Sequence, residues 1–191
     1  MAALEILRPV IDLDGKRVIP LPSAMSRDLQ ARETAHRAMI KDILSCLAEG
    51  LDVAMVNLGD VSLYATAAYL TAPVRQAGYT AEWIPGVTSF SAASAALGAA
   101  LAEGDTPLHI IPCLTDGWRA ALDLPGTKVL MKPGDRLPEI FEFLRQTGRQ
   151  SRAALVINCG MEGEALIAPF DRLPEKRSYF SLVIIKEGQT W

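Results

Sequence analysis

Short apolar runs alternate with longer, helix-like segments along this chain. Residues 17–21 (RVIPL) read as a short strand. Residues 27–49 read as a long helix, with Ser26 placed to cap its start and Gly50 to stop it. Within it Ala35, Met39, Ile43 and Leu47 recur every fourth residue and fall near one face. Residues 53–58 (VAMVNL) are nearly all apolar, as a strand buried on both faces should be. The next helix covers 62–77 and ends at Gly78. A strand at 80–84 is closed by Pro85-Gly86, an Ala- and Ser-rich helix covers 89–101, and a strand covers 108–111.

After Pro112 the pattern restarts with a strand at 128–131, a helix at 137–147 and a strand at 153–158. Two further strand-like runs, 165–168 and 179–186, follow with no helix predicted between them, which points to a local antiparallel or mixed arrangement. The alternation predicts an α/β fold of two α/β domains. Residues 1–113 are expected to form a mainly parallel N-terminal sheet, and 114–191 a mixed C-terminal sheet, with the boundary near 113–116.

Composition narrows the function classes. The 191 residues suit one or two compact domains, and a hydrophobic share of 50% supports a sizeable core. A net charge of −3 argues against nucleic acid, whose partners carry a basic bias. An anionic ligand would have to rely on local Arg and Lys rather than on the global field. The three cysteines, Cys46, Cys113 and Cys159, form no CxxC, and the two histidines, His36 and His109, are far apart in the chain, so no metal site is expected. The longest apolar stretch, 92–102, is too short to span a bilayer. With no leader pattern and an odd cysteine count, the expected compartment is the cytoplasm.

The candidate chemistry sits at strand ends. Leu58-Gly59-Asp60-Val61-Ser62-Leu63-Tyr64 follows a predicted buried strand and opens a predicted helix, the place where open α/β sheets bind ligands. Gly59 permits close approach to backbone, Asp60 accepts hydrogen bonds, and helix-start N–H groups attract polar groups. A plain strand-to-helix turn capped by Asp60 or Ser62 is the other reading. Ile84-Pro85-Gly86-Val87-Thr88-Ser89-Phe90-Ser91 is the same kind of place, with the hydroxyls of Thr88 and Ser89 near a helix start; ordinary capping again competes. Met131-Lys132-Pro133-Gly134 and the turn from Asn158 to Glu164 end two further strands. Met131 by itself reads as core filler. Cys159 has no basic neighbour in sequence to activate it. The absence of GxGxxG and GxxxxGK[ST] argues against a Rossmann dinucleotide site and a P-loop.

Taken in order, these turns resemble the tetrapyrrole (corrin/porphyrin) methylase family. Leu58-Gly59-Asp60 resembles its GDP motif, and Pro85 to Ser89 its proline-glycine turn. LPSAMSRD (21–28), VNLGDVSLYAT (56–66), IPGVTSFSAASAALG (84–98), VLMKPG (129–134), NCGMEGE (158–164) and YFSLVIIK (179–186) are most similar to the branch that methylates carbon 20 of precorrin-2 or cobalt-factor II in cobalamin biosynthesis. The resemblance implies a homodimer of two-domain α/β subunits binding S-adenosylmethionine in a cleft between the domains, with S-adenosylhomocysteine as product. Carried over, the cofactor contacts fall on Leu58, Gly59, Asp60, Leu63, Thr88, Ser89, Met131 and Gly160. Arg27 becomes a candidate for the carboxylates of the tetrapyrrole substrate; a solvated helix-start arginine is its other reading. The implied reaction is methyl transfer from a sulfonium to a meso carbon, with no general base assigned and alignment as the protein's main contribution.

Two departures stand out. Val61 occupies the place of the family's proline after Gly-Asp. The family's opening strand with its glycine-rich GxGPGD-like turn has no counterpart before Leu4, from which reduced stability, dimer-dependent burial or loss of activity is expected. A shortened paralogue that binds without turnover, and a methylase of the same fold with another substrate, such as a diphthine or ribosomal-RNA methylase, are the competing readings.

Overall fold

The computed structural model describes residues 2–21, 29–114, 116–188 and 190–191, with the side chains of Ala2 and Leu29 excepted. The chain divides into two compact units, Met1–Thr88 and Ser89–Trp191.

In the first unit, α1 (Ala2–Leu7) is a short helix that the apolar pattern did not announce, α2 is Leu29–Ala48, and α3 is Ala67–Gln76. Met39 and Ile43 of α2 pack with Leu70 and Val74 of α3 in a buried cluster, and Ala35 and Leu47 flank it. The fourth-residue spacing therefore does what it predicted: it puts one apolar stripe against a neighbour. Burial of each large side chain in such a cluster contributes about 1.5–3 kcal/mol. His36 stacks on Tyr69 with ring centroids 5.1 Å apart. Gly50, at φ +79°, follows α2 in the left-handed conformation that ends helices.

The runs 17–21, 53–58 and 80–84, expected as strands of an N-terminal sheet, are not strands among the described residues. An apolar run becomes a strand only when a neighbouring backbone accepts and donates its hydrogen bonds. No backbone hydrogen bond joins 53–58 or 80–84 to another described segment. Their apolar side chains also stay accessible, Ile84 being 79% exposed. The two runs border a cavity of about 620 Å³ whose walls include Ile43 and Leu47 of α2 and Leu70 and Val74 of α3.

The second unit contains α4 (Ser89–Ala96), β1 (Leu108–Pro112), α5 (Trp118–Ala121), β2 (Thr127–Met131), α6 (Leu137–Gln146), β3 (Ala153–Ile157), β4 (Ala165–Ile167) and β5 (Ser181–Ile185). The strands form one mixed sheet in the order β1-β2-β5-β3-β4. Only β1 and β2 pair in parallel; the other neighbours are antiparallel. The class is α/β as expected, and the mixed sheet is where the second half predicted it. The strand at 108–112, grouped by sequence with the first half, instead pairs with β2, Ile110 opposite Val129. Along the chain the division into units falls between Thr88 and Ser89, upstream of the expected 113–116 boundary.

Trp118, Leu137, Ile140, Leu144 and Phe170 pack against Leu130, Leu155 and Val183 of the central strands. The three-then-four spacing of Leu137, Ile140 and Leu144 turns one face of α6 inward. Helix α4 stops earlier than the predicted residue 101. Gly98 takes φ +65° there, and Ala99 N donates to Ser94 O at 3.1 Å. No helix of the described residues is long and apolar enough to cross a membrane.

Candidate functional site

The Gly59 turn is built by Asp60. Asp60 Oδ1 accepts the Ser62 amide at 2.8 Å, and also the Ser62 hydroxyl. This two-residue side-chain-to-backbone closure is an Asx turn, which Asp favours because its short carboxylate reaches its own chain. Leu63 N donates to Asp60 O at 3.3 Å. Gly59 sits at φ +78°, a conformation costly to residues with a Cβ.

The expected helix start at Ser62 is displaced. Helix α3 begins only at Ala67, because Tyr64 takes φ +54° and breaks any helical continuation from the turn. The helix-terminus reading of Asp60 and Ser62 is thereby corrected; the amides here are organised by a side chain.

The same carboxylate reaches a second turn. Asp60 Oδ2 accepts the Gly86 amide at 2.9 Å, across 26 residues. Gly86 lies directly against the first turn. A methyl group placed on it would stand 3.2 Å from the Gly59 carbonyl carbon and closer still to the oxygen. Only a residue without a Cβ lets these two backbones touch. The Ser62 hydroxyl, the Gly86 amide and the Ser62 amide together hold the Asp60 carboxyl below its ordinary range, against a small opposing effect of burial. The group is an anion at neutral pH.

Leu58, Gly59, Asp60 and Leu63 thus share one turn, and Asp60 brings it to the turn that carries Thr88. Leu58 is exposed and Leu63 half-buried, so the first turn presents apolar surface beside the exposed backbone of Gly59. Gly59, Val61, Pro85 and Gly86 also line the cavity between the two extended runs. Ser62 and Gly86 were not singled out as contacts by sequence reasoning. The Asp-x-Ser spacing signals the Asx turn; nothing in sequence signals the Gly86 bond.

In the second unit, Ser89 is the first residue of α4, where the sequence placed a helix start. Met131 ends β2 and Gly160 lies just past β3. Both strands run antiparallel to β5 between them, so their carboxyl ends lie at the same end of the sheet. Met131 O accepts the Cys113 amide at 2.9 Å. Gly160 sits at φ +71°, with its amide donating to Glu164 Oε2 at 2.6 Å. Nothing lies within 4 Å of where its Cβ would be, so conformation, not crowding, demands glycine. Burial and Glu164 push the Cys159 thiol up, which disfavours a thiolate nucleophile. Arg27 lies outside the described residues.

These glycine turns at the ends of extended runs, with hydroxyls and apolar side chains beside them, coincide with a family match. The sequence profile of the Tetrapyrrole (Corrin/Porphyrin) Methylases matches residues 1–174. The chain belongs to that family, whose members are S-adenosylmethionine-dependent C-methyltransferases. It is 29% identical over 178 residues to a precorrin-2 C(20)-methyltransferase from Sinorhizobium sp, covering 87% of this chain and 72% of that protein. It is 31% identical over 187 residues to a probable cobalt-precorrin-2 C(20)-methyltransferase from Methanocaldococcus jannaschii, covering 96% of this chain and 78% of that one. The fold is similar to the uroporphyrin-III C-methyltransferase of Thermus thermophilus, solved with S-adenosylhomocysteine: the TM-score is 0.56 and the identity 19%, covering 82% of this chain and 73% of that one.

Proposed function

We propose that this chain transfers a methyl group from S-adenosylmethionine to carbon 20 of precorrin-2 or its cobalt form, in cobalamin biosynthesis. The observation that carries the reading is the similarity to two C(20)-methyltransferases across most of the chain. The local geometry fits the cofactor. A nucleoside with an amino-acid tail needs apolar surface for its ring and closely approachable backbone for its polar ends. The turns of Leu58 to Leu63 and of Pro85 to Thr88 present both, and Gly59 and Gly86 keep Cβ atoms away from the backbone. Ser89, Met131 and Gly160 are proposed as further contacts on the strength of the family resemblance.

When bound, the cofactor supplies an already activated sulfonium methyl. The chain's own residues then have mainly to align donor and acceptor, a contribution that accounts for much of the rate in such transfers. The rigid Asx turn suits that task. A cytoplasmic homodimer is the proposed working form.

The test is anaerobic incubation of the purified chain with precorrin-2 and carbon-13-methyl S-adenosylmethionine, followed by mass spectrometry and NMR of the macrocycle. One added methyl, labelled at carbon 20, supports the reading. A label at another carbon, or on another acceptor, overturns the substrate assignment. Binding of S-adenosylhomocysteine without turnover on either precorrin-2 or its cobalt form replaces it with a non-catalytic binder.

A further inference from the structure

We infer that Asp60 is a positioning residue of the cofactor site: its carboxylate fastens the Gly86 turn to the Gly59 turn. The inference rests on the methyltransferase reading and deepens it.

Three observations converge. First, the carboxylate is already engaged. Oδ1 accepts both Ser62 donors and Oδ2 accepts the Gly86 amide at 2.9 Å, so both oxygens face protein donors. Second, the turns it joins touch through backbone, at Gly59 and Gly86, and a side chain at Gly86 would run into the Gly59 carbonyl. Their spacing is therefore set by direct contact and has little slack. Third, the runs leading into the two turns, 53–58 and 80–84, share no ladder among the described residues. In a sheet, ladder bonds would hold neighbouring strand ends in register. Here the Asp60 to Gly86 bond is the described polar link between those ends. A charge-assisted bond to a backbone amide is about twice as strong as a neutral one, which suits a single link to that duty. Thr88, two residues beyond Gly86, takes its position from the same turn.

The test combines spectroscopy and a double-mutant cycle on the full chain. In the protein alone, the Gly86 amide proton should resonate downfield and move upfield in Asp60→Asn. With S-adenosylhomocysteine as probe in calorimetry, Asp60→Asn and Gly86→Ala should each weaken binding by about tenfold, roughly the effect of one charge-assisted hydrogen bond. The double variant should bind no more weakly than the poorer single one, because both changes break the same link. Ile140→Ala, a buried core position of α6 in the other unit, serves as the control for lost stability and should leave affinity within about twofold. If Gly86→Ala does not fold, the amide shift and the affinity of Asp60→Asn decide the matter. Losses that add in the double variant, or full affinity in Asp60→Asn, overturn the positioning role while leaving the methyltransferase reading intact. A folded native chain that does not bind the probe overturns that reading, and the positioning role with it.

Discussion

Ser178 donates its hydroxyl to Asn158 Oδ1 at 2.6 Å, and so ties the approach to β5 to the end of β3. The Asn158 side-chain amide points the other way, to Glu162 O at 3.3 Å and Gly163 O at 3.4 Å. Asn158 also stands at φ +49°, which Asn tolerates better than most residues. One side chain thus closes the turn that carries Gly160. Asn158→Ala should destabilise the fold by about 1–3 kcal/mol, from lost hydrogen bonds and a less tolerated backbone. Asn158→Gly should recover part of the conformational share. Urea unfolding of the three proteins side by side measures both; equal midpoints would remove Asn158 from this role.

Gly126 sets the register of the parallel pair. At φ +93° it turns the chain into β2, and Thr127 N then donates to Pro107 O at 2.9 Å. A methyl group on Gly126 would stand 2.9 Å from the Pro107 carbonyl carbon and closer still to its oxygen. Gly126→Ala is expected to cost on the order of 2–4 kcal/mol, because a rigid backbone must move and a left-handed residue is strained. Thermal melting, followed by near-ultraviolet circular dichroism, should show the loss; an unchanged melting temperature would mean that the turn relaxes freely.

The cysteines should differ in reactivity. Burial pushes the Cys113 thiol from 9.0 up to about 12, only partly offset by Arg136. Its side chain is 2% exposed. At pH 8 a disulfide reagent should reach Cys159, which is half-buried, well before Cys113. The raised value also has a thermodynamic consequence. Above about pH 9 the unfolded chain ionises at this cysteine while the folded chain keeps its proton, so folding stability should fall from there towards pH 12. Cys113→Ser or Cys113→Ala should flatten that part of the stability curve relative to the native chain; an identical slope would contradict the assignment.

Hydrogen exchange should separate the two kinds of extended chain. The amides of β2, β3 and β5 are laddered at the centre of a sheet and should exchange slowly. Those of 53–58 and 80–84 have no backbone partner among the described residues and should exchange within the first time points. Strong protection of both runs in the isolated chain would show that they pair in solution.

Much of the second unit is legible in the sequence itself. The strands at 127–131, 153–157 and 181–185 are compact apolar runs, and α6 has its buried residues at helical spacing; both patterns are local and survive into the structure. The runs at 53–58 and 80–84 looked equally strand-like. Among the described residues they find no neighbouring backbone to pair with, the one thing a run of residues cannot specify by itself. The candidate site divides the same way. The glycine turns and their order along the chain are sequence features, and they carried the resemblance that the family match bears out.

What the sequence by itself determined is therefore local and periodic: which segments are apolar, where glycine must bend the chain, and which family these turns belong to. The tertiary structure alone decided that β1 joins the second unit's sheet, that Tyr64 delays α3, and that the Asp60 carboxylate turns to an amide 26 residues away. Those outcomes depend on which backbones come within hydrogen-bonding distance. That is settled by the packing of the whole chain and leaves no periodic trace in the order of its residues.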